Sequence, residues 1–308
     1  MNTDLKPGKK ARRRSLLNNK PLGYRMLIPA SLLILMISIY PLINGIALGF
    51  QQYNLLRPRR RGFIWFSNFE KLFADGEFFQ AISFTFLYTI SVVVLAYCLG
   101  LVLALLLNRN IRMRGLFRAL ILIPWIIPPV VAATNWAWLL NDQIGFVNVI
   151  LKKIGLIEES VLFIAAPDIA RLTVILTSTW KSFPFMMITL LAGLQSIPGE
   201  LYEAAEIDGA SAAQRFVHIT MPMLNSVTVV CTTLMFIWTF NNMENIYLLT
   251  RGGTNQATFV LPILTYYTAF MRSDIGYASA MAAVLLVILL MMSLLYTRLL
   301  NKSNKMEF

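Results

Sequence analysis

Charge, histidine and cysteine are all scarce in this 308-residue chain. Asp, Glu, Lys and Arg make up 14% of it and hydrophobic residues 57%, whereas ordinary soluble domains carry roughly 25% charged residues. That shortage excludes a chain bathed in water on all sides and points to lipid as the solvent. A single histidine, His218, cannot support a His-based metal cluster, so no metal ligands are expected. Cys98 and Cys231 fall inside separate apolar runs without metal spacing and read as buried free thiols. The nucleotide-cradling run G-x-x-x-x-G-K followed by Ser or Thr is missing. No nucleophile and base stand as an arguable pair, so no catalytic residue is expected and the chain reads as non-enzymatic.

The net charge of +12 raises the possibility of nucleic acid. The placement of Lys and Arg at the ends of apolar runs argues instead for membrane topology, with no nucleic-acid partner. Crossing a hydrocarbon core of about 30 Å takes roughly 20 apolar residues as helix. Residues 26–50, 79–107, 116–140, 172–194, 226–249 and 278–300 meet that length. The first run is too long for a signal-peptide core of roughly 7–15 residues and reads as a retained anchor. Backbone groups in lipid must be satisfied internally, so these runs are expected to be helices. Pro29, Pro41, Pro124, Pro128, Pro129 and Pro184 lie within them and predict local kinks or breaks.

Of 27 Lys and Arg, sixteen fall on the side of the N-terminus, ten on the other, and Lys181 lies within a span. That bias places both termini in the cytoplasm. Residues 1–24 then form a basic tail, disordered or laid on the anionic inner leaflet, and residues 25–308 the membrane domain. Arg57, Arg59, Arg60 and Arg61 run against the bias, in the first external loop. Lipid headgroups or an anionic ligand are the two partners that such a cluster suits. Residues 67–79 read as a short interfacial helix with a turn at Asp75–Gly76.

The most informative polar stretch is 201–224, LYEAAEIDGASAAQRFVHITMPML, which carries three acids, with Glu200 just before it, and the one histidine between two apolar spans. A first short helix presents Glu200 and Glu203 as i, i+3 neighbours, with Ala204 and Ala205 open to close approach. Asp208–Gly209 is a turn signal, with Gly209 free to take positive φ and Asp208 able to bond nearby N–H groups. A second helix turns Phe216 and Ile219 toward apolar surface, and Pro222 is expected to end it. His218 reads as a surface or interface residue.

Glu203-Ala204-Ala205-x-x-Asp208-Gly209-Ala210, with Phe216, Ile219 and Pro222 beyond it, resembles the EAA loop of binding-protein-dependent ABC transporter permeases. Arg114-Gly115-x-Phe117-Arg118 before Leu122-Ile123-Pro124, Trp180-x-x-x-Pro184-Phe185, LLAGLQSIP at 190–198 and FNNMENIYLLTRGG at 240–253 agree. The last is similar to the larger, first permease of the maltose and glycerol-3-phosphate type. Thr254 and Glu244 depart from that subfamily's usual Pro and Asp. The resemblance implies an all-α bundle of six transmembrane helices, a type I ABC importer permease, in a bacterial inner membrane. It implies a coupling helix at Glu203, Ala204, Ala205, Asp208, Gly209 and Phe216, seated on a cytoplasmic ATPase dimer that binds ATP and Mg. A second homologous permease, an extracytoplasmic solute-binding protein and membrane lipid complete the partners, with no cofactor in this chain.

It also implies carbohydrate contacts on the fourth and fifth spans. Lys181, Ser182 and Phe185 in one, and Trp238, Thr239, Asn242 and Glu244 in the other, are the candidates for the pathway. Lys181 and Glu244 are intramembrane charges, which ordinarily face a cavity or pair with each other. An unpaired Lys181 suits a carboxylate-bearing sugar or phosphorylated polyol. Two other readings fit an apolar helical chain: an ion-gradient-driven secondary transporter, with Glu244 as its carboxylate, and a membrane receptor or scaffold that moves nothing.

Overall fold

A computed structural model describes residues 20–109 and 111–304. The basic tail up to residue 19 lies outside the described residues; Lys20 already begins the first helix. In order, the elements are α1 (Lys20–Ile34), a π turn (Leu35–Ile39), α2 (Tyr40–Gly49), β1 (Gln51–Gln52), β2 (Gly62–Phe63) and α3 (Ser67–Phe73). There follow α4 (Gly76–Asn108), α5 (Arg114–Ile126), α6 (Pro129–Leu139), α7 (Phe146–Lys153) and α8 (Pro167–Ser196). The remainder is α9 (Gly199–Ile207), α10 (Ala212–Arg215), a π turn (Phe216–Thr220), α11 (Met221–Met223), α12 (Asn225–Phe240), α13 (Glu244–Thr250), α14 (Leu261–Phe270) and α15 (Ile275–Asn304).

Four helical runs among the described residues are long and apolar enough to cross a membrane: Arg25–Gly49, Gly76–Asn108, Pro167–Ser196 and Ile275–Arg298. Two bent pairs bring the number to six when each is one span: α5 with α6 at 91°, and Ala212–Met223 with α12 at 63°. The chain is therefore an all-α membrane bundle, and the one sheet among the described residues is a two-stranded hairpin.

Two expected spans are broken. The third, 116–140, divides at Ile127-Pro128 because neither Pro128 nor Pro129 has an N–H to continue the ladder. The fifth, 226–249, ends as α12 at Phe240, and Asn241–Met243 separate it from α13. Pro184 behaves differently and sits inside an unbroken α8.

The helix α4 is the axis of the bundle. Its first half, from Phe78 to Val92, packs into one apolar cluster with Val174, Ile246, Leu261 and Leu264. Its second half, from Val93 to Leu107, packs into another with Met186, Leu190, Leu224 and Phe240. Its pairing with α8 is the most extensive in the molecule. Close approach depends on Gly100, where an added Cβ would lie 2.6 Å from Met186 Cβ and 2.8 Å from Met187 N. The opposite face of α4 shows Leu87, Ile90, Val94 and Val102 to the outside, as lipid contact requires. Cys98 is exposed on that side, contrary to expectation, while Cys231 is buried as expected.

Asp75 belongs to the start of α4: its Oδ1 accepts from Glu77 N at 2.9 Å, so the expected interfacial helix stops at Phe73 and α4 begins at Gly76. Overpacking a close helix contact costs about 1–3 kcal/mol. Gly100→Val is thus expected to lower the thermal midpoint of the purified chain in detergent. Gly115→Ala, with nothing within 4 Å of the added Cβ, is the control that should not; equal midpoints for both would refute this packing.

Candidate functional site

The segment 199–224 is built from local backbone chemistry. α9 ends in a Schellman motif: Gly209 takes φ +79°, Gly209 N–H bonds Glu206 O at 3.1 Å, and Ala210 N–H bonds Ala205 O at 2.9 Å. Asp208 is only the helix end; the cap of the next helix is Ser211. Ser211 Oγ accepts from Gln214 N at 3.3 Å, and Gln214 Oε1 accepts from Ser211 N at 2.7 Å. That Ser-x-x-Gln box is a capping signal in the sequence itself, where Asp208 is the expected local acceptor. Arg215 Nη1 donates to Glu206 Oε2 at 2.9 Å, clamping the two arms of the turn.

Pro222 does not end the second helix. The chain widens into a π turn over Phe216–Thr220, where Met221 N–H reaches back to Phe216 O, and helix continues to Met223. The bend comes at Leu224. Phe216 is half-buried over a cleft of about 490 Å³ that Asn108, Arg109, Tyr202 and Arg215 also line. Ile219 packs on the inner core cluster, and Tyr202 hydroxyl lies 2.9 Å from Thr220 Oγ1. Glu203, Ala204 and Asp208 are exposed and Ala205 is half-buried. His218 is exposed, its Nδ1 3.0 Å from Gln214 O. Ile207, not singled out from sequence, is 86% exposed among these acids. An apolar side chain so placed marks a contact surface.

At the same end of the bundle, Arg114 and Arg118 sit one turn apart on α5 and converge on Gln195 of α8. Gln195 Oε1 accepts from Arg118 Nη2 at 2.7 Å and from Arg114 Nη2. Two sequence motifs, RGLFR and LLAGLQSIP, thereby meet in one contact.

The pathway candidates separate into two groups. Phe185 and Trp238 come together, ring centroids 5.1 Å apart, and Trp125 of α5 joins at 5.8 Å from Phe185. Trp238 is exposed, while Ser182 and Phe185 are half-buried. Thr239 instead turns into the core at 5% exposure. Asn242 Oδ1 accepts from Asn245 N at 3.3 Å and so caps α13. Glu244 is exposed in the first turn of α13, where a carboxylate favours the helix dipole.

Lys181 is neither unpaired nor in an ion pair with Glu244 among the described residues. Its Nζ donates to Ile127 O at 2.6 Å and to Pro124 O at 3.4 Å. Pro124 O would bond the N–H of residue 128 in a continuous helix, and Pro128 has none. Ile127 O is swung out of the helix by ψ 131°. The ammonium satisfies carbonyls that the proline break orphans. A polar relay missed from sequence lies nearby: Tyr88 OH donates to Ser178 Oγ at 2.8 Å, and Asn245 Nδ2 donates to the same oxygen at 2.7 Å.

Residues 96–305 match the family described as binding-protein-dependent transport system inner membrane component. The chain belongs to that family. The permease is 33% identical over 277 residues to the trehalose/maltose transport system permease protein MalF of Thermococcus litoralis, covering 90% of this chain and 92% of that one. It is 33% identical over 288 residues to the sulfoquinovosyl glycerol transport system permease protein SmoG of Agrobacterium fabrum, covering 94% and 93%. A chain of a bacterial ABC transporter involved in import of the acidic polysaccharide alginate superposes with TM-score 0.78 at 27% identity, covering 93% of this chain and 99% of that chain. The methionine ABC transporter MetNI matches at TM-score 0.53 and 18% identity, a likeness of fold alone. Membership and this likeness favour an ABC importer permease over a secondary transporter or an inert scaffold.

A buried acceptor left without its donor costs about 1–3 kcal/mol. Lys181→Met should therefore lower the thermal midpoint of the permease in detergent more than Lys152→Met, a change in the loop-side helix α7. Indistinguishable midpoints would show that the Lys181 clip contributes nothing.

Proposed function

We propose that this permease forms half of the pathway of an ATP-driven importer for a sugar, oligosaccharide or related carbohydrate. The observation that carries the proposal is the similarity, at a third identity over about nine-tenths of both chains, to permeases named for trehalose/maltose and sulfoquinovosyl glycerol transport. The aromatic group of Trp125, Phe185 and Trp238 supports it, because ring faces stack on the C–H surfaces of sugars. Ser182 and Asn242 lie close by in sequence to supply hydroxyl and amide contacts. Lys181 supports the wall of the pathway through the α5–α6 break, and Glu244 lies at its rim.

Six spans make half a channel, so a second, homologous permease faces this one. An extracytoplasmic solute-binding protein delivers substrate. The structure of a bacterial alginate ABC transporter in complex with an alginate pentasaccharide-bound periplasmic protein supports that partner. A cytoplasmic ATPase dimer binds ATP and Mg and grips the segment 201–224 through Glu203, Ala204, Ala205, Asp208, Gly209 and Phe216. The orientation that serves this has both termini in the cytoplasm, with residues 25–308 as the membrane domain. Closure of the ATPases draws the two coupling segments together, and contacts that differ between the two states tilt the bundles.

Two variants test the coupling role. Gly209 has open space around its Cα, so Gly209→Ala strains only the backbone at φ +79°, at a cost of about 1–2 kcal/mol. In proteoliposomes of the assembled transporter, Gly209→Ala and Glu203→Lys should hydrolyse ATP while uptake falls. Undiminished uptake in both, at normal membrane levels, would sink the assignment. Trp238→Ala should raise KM for the transported carbohydrate with ATPase coupling intact; an unchanged KM removes Trp238 from the pathway.

A further inference from the structure

We propose that the first external loop carries a binding site for the phosphodiester headgroup of an anionic phospholipid. The site is a cleft of about 360 Å³ whose polar lining includes Gln52, Asn54, Arg57, Arg60, Lys71 and Asp274. Its volume falls in the range of small-ligand clefts, roughly 300–1,000 Å³. It lies at the end of the bundle where α2 finishes and α4 begins. The coupling segment flanks the other end of α4, whose 33 residues span about 50 Å at the helical rise.

The loop is held by many bonds. β1 and β2 pair Gln51 with Phe63 and Gln52 with Gly62. Asn68 Nδ2 donates to Gly49 O at 2.8 Å and Gln51 O at 3.0 Å. Leu55 N–H bonds Ser273 O at 2.8 Å and Gly276 N–H bonds Tyr53 O at 3.0 Å, tying the loop to the start of α15. The arginines therefore project from a fixed frame.

The cations of this loop are unequally engaged. Arg61 is occupied: its Nε donates to Gln51 Oε1 at 2.9 Å and its guanidinium lies 4.8 Å from the Tyr53 ring centroid. Lys71 stands 3.9 Å from Asp274 and 4.2 Å from the centroid of Tyr277. Arg57 and Arg60 have no carboxylate partner among the described residues, and both open into the cleft. One acid against three cations leaves the cleft cationic. Two guanidinium groups three residues apart, fixed by the Pro58–Arg60 turn, offer the fork that matches phosphate oxygens. Gln52, Asn54 and Ser67 stand in the same lining to meet headgroup hydroxyls.

The aromatic surroundings select lipid over a soluble anion. Phe63, Trp65 and Phe66 are exposed by 57%, 69% and 59%, and they cluster through Phe63–Trp65 at 4.9 Å and Phe50–Phe66 at 5.3 Å. Trp65 is held at φ +53°, a conformation costly for a bulky residue and retained where a site requires it. Exposed Trp and Phe beside Arg, at the ends of two spans, are the composition of a membrane–water interface. The cluster also opposes the charge bias that sets orientation, and a bound phosphodiester offsets that opposition.

The test uses the full-length chain in detergent and in nanodiscs. Native mass spectrometry with phosphatidylglycerol should show one retained lipid, whereas phosphatidylcholine is not retained. In Arg57→Gln/Arg60→Gln, retention should weaken about thirtyfold, the loss expected from removing two arginines at a membrane surface. Arg59→Gln, outside the cleft lining, should retain the lipid. Equal retention of the two lipids by the unaltered chain overturns the proposal without any variant. So does equal weakening in Arg59→Gln, which would show diffuse attraction only. Competition of the lipid by a galacturonate trisaccharide at the same arginines would assign the cleft to a soluble carboxylate and overturn the lipid assignment.

Discussion

In hydrocarbon a carbonyl that loses its helical donor has no water to turn to, and this chain loses such donors repeatedly at proline. The structure answers in two ways. Before Pro41 and before Pro222 the helix widens into a five-residue π turn, with Tyr40 N–H reaching Leu35 O and Met221 N–H reaching Phe216 O. The wider turn shifts the carbonyl that the pyrrolidine ring would otherwise strike. At Pro128-Pro129 no widening suffices, and the span turns through 91°. There the freed carbonyls of Pro124 and Ile127 are met by Lys181 from the neighbouring α8. A side chain whose charge would be expensive in the membrane becomes the donor that makes the break tolerable.

That arrangement places the irregular backbone where it is useful. The break in the third span, the break at Asn241–Met243 after the fifth and the Phe185–Trp238 contact all lie around the upper part of α8. Irregular backbone at membrane depth is tolerated where it is buried in protein or lines a cavity. The relay Tyr88–Ser178–Asn245 ties α4, α8 and α13 together just behind it. The pathway side thus rests on a stiff axis of α4 and α8. The coupling side rests on hinges: a left-handed Gly209, a π turn and the 63° bend at Leu224. In the proposed mechanism, motion entering at Glu203 and Phe216 would pass to α12 through that bend, and α12 carries Trp238.

Much of this was legible in residue order. Apolar run lengths located the four unbroken spans and both bent pairs that bring the number to six, and the Asp208–Gly209 turn signal located the positive φ at Gly209. What stayed hidden was chiefly tertiary. Run length does not distinguish a straight span from one folded at Pro128-Pro129, because hydropathy is blind to missing N–H groups. The residue pattern offers Lys181 a cavity or a pairing with Glu244, whereas its partners are main-chain carbonyls 54 and 57 residues away, which no side-chain pattern encodes. The resemblance puts Thr239 among the pathway candidates beside Trp238, yet adjacent helix positions point about 100° apart and Thr239 faces the core. Pro222 was read as a stop because proline usually is one; the compensating π turn is an arrangement of backbone bonds without a composition of its own.

The two ends of the bundle carry opposite arrangements of charge, and the difference explains how one chain is held and moved. At the inner end of the proposed orientation, Arg109, Arg112, Arg114 and Arg118 form a basic collar where the spans leave the membrane. The acids Glu200, Glu203, Glu206 and Asp208 stand on the exposed turn beyond it. An anionic leaflet attracts the collar and repels the turn, so the same surface potential that anchors the bundle keeps the coupling segment off the lipid and open to a partner. Among the described residues, one ion pair joins a cation to these acids, Arg215 to Glu206. At the outer end the arginines stand on a loop instead of a hinge, braced by the hairpin and by Asn68. In the proposed orientation the outer attachment is thus braced, while the inner one runs through Gly209 and the π turn.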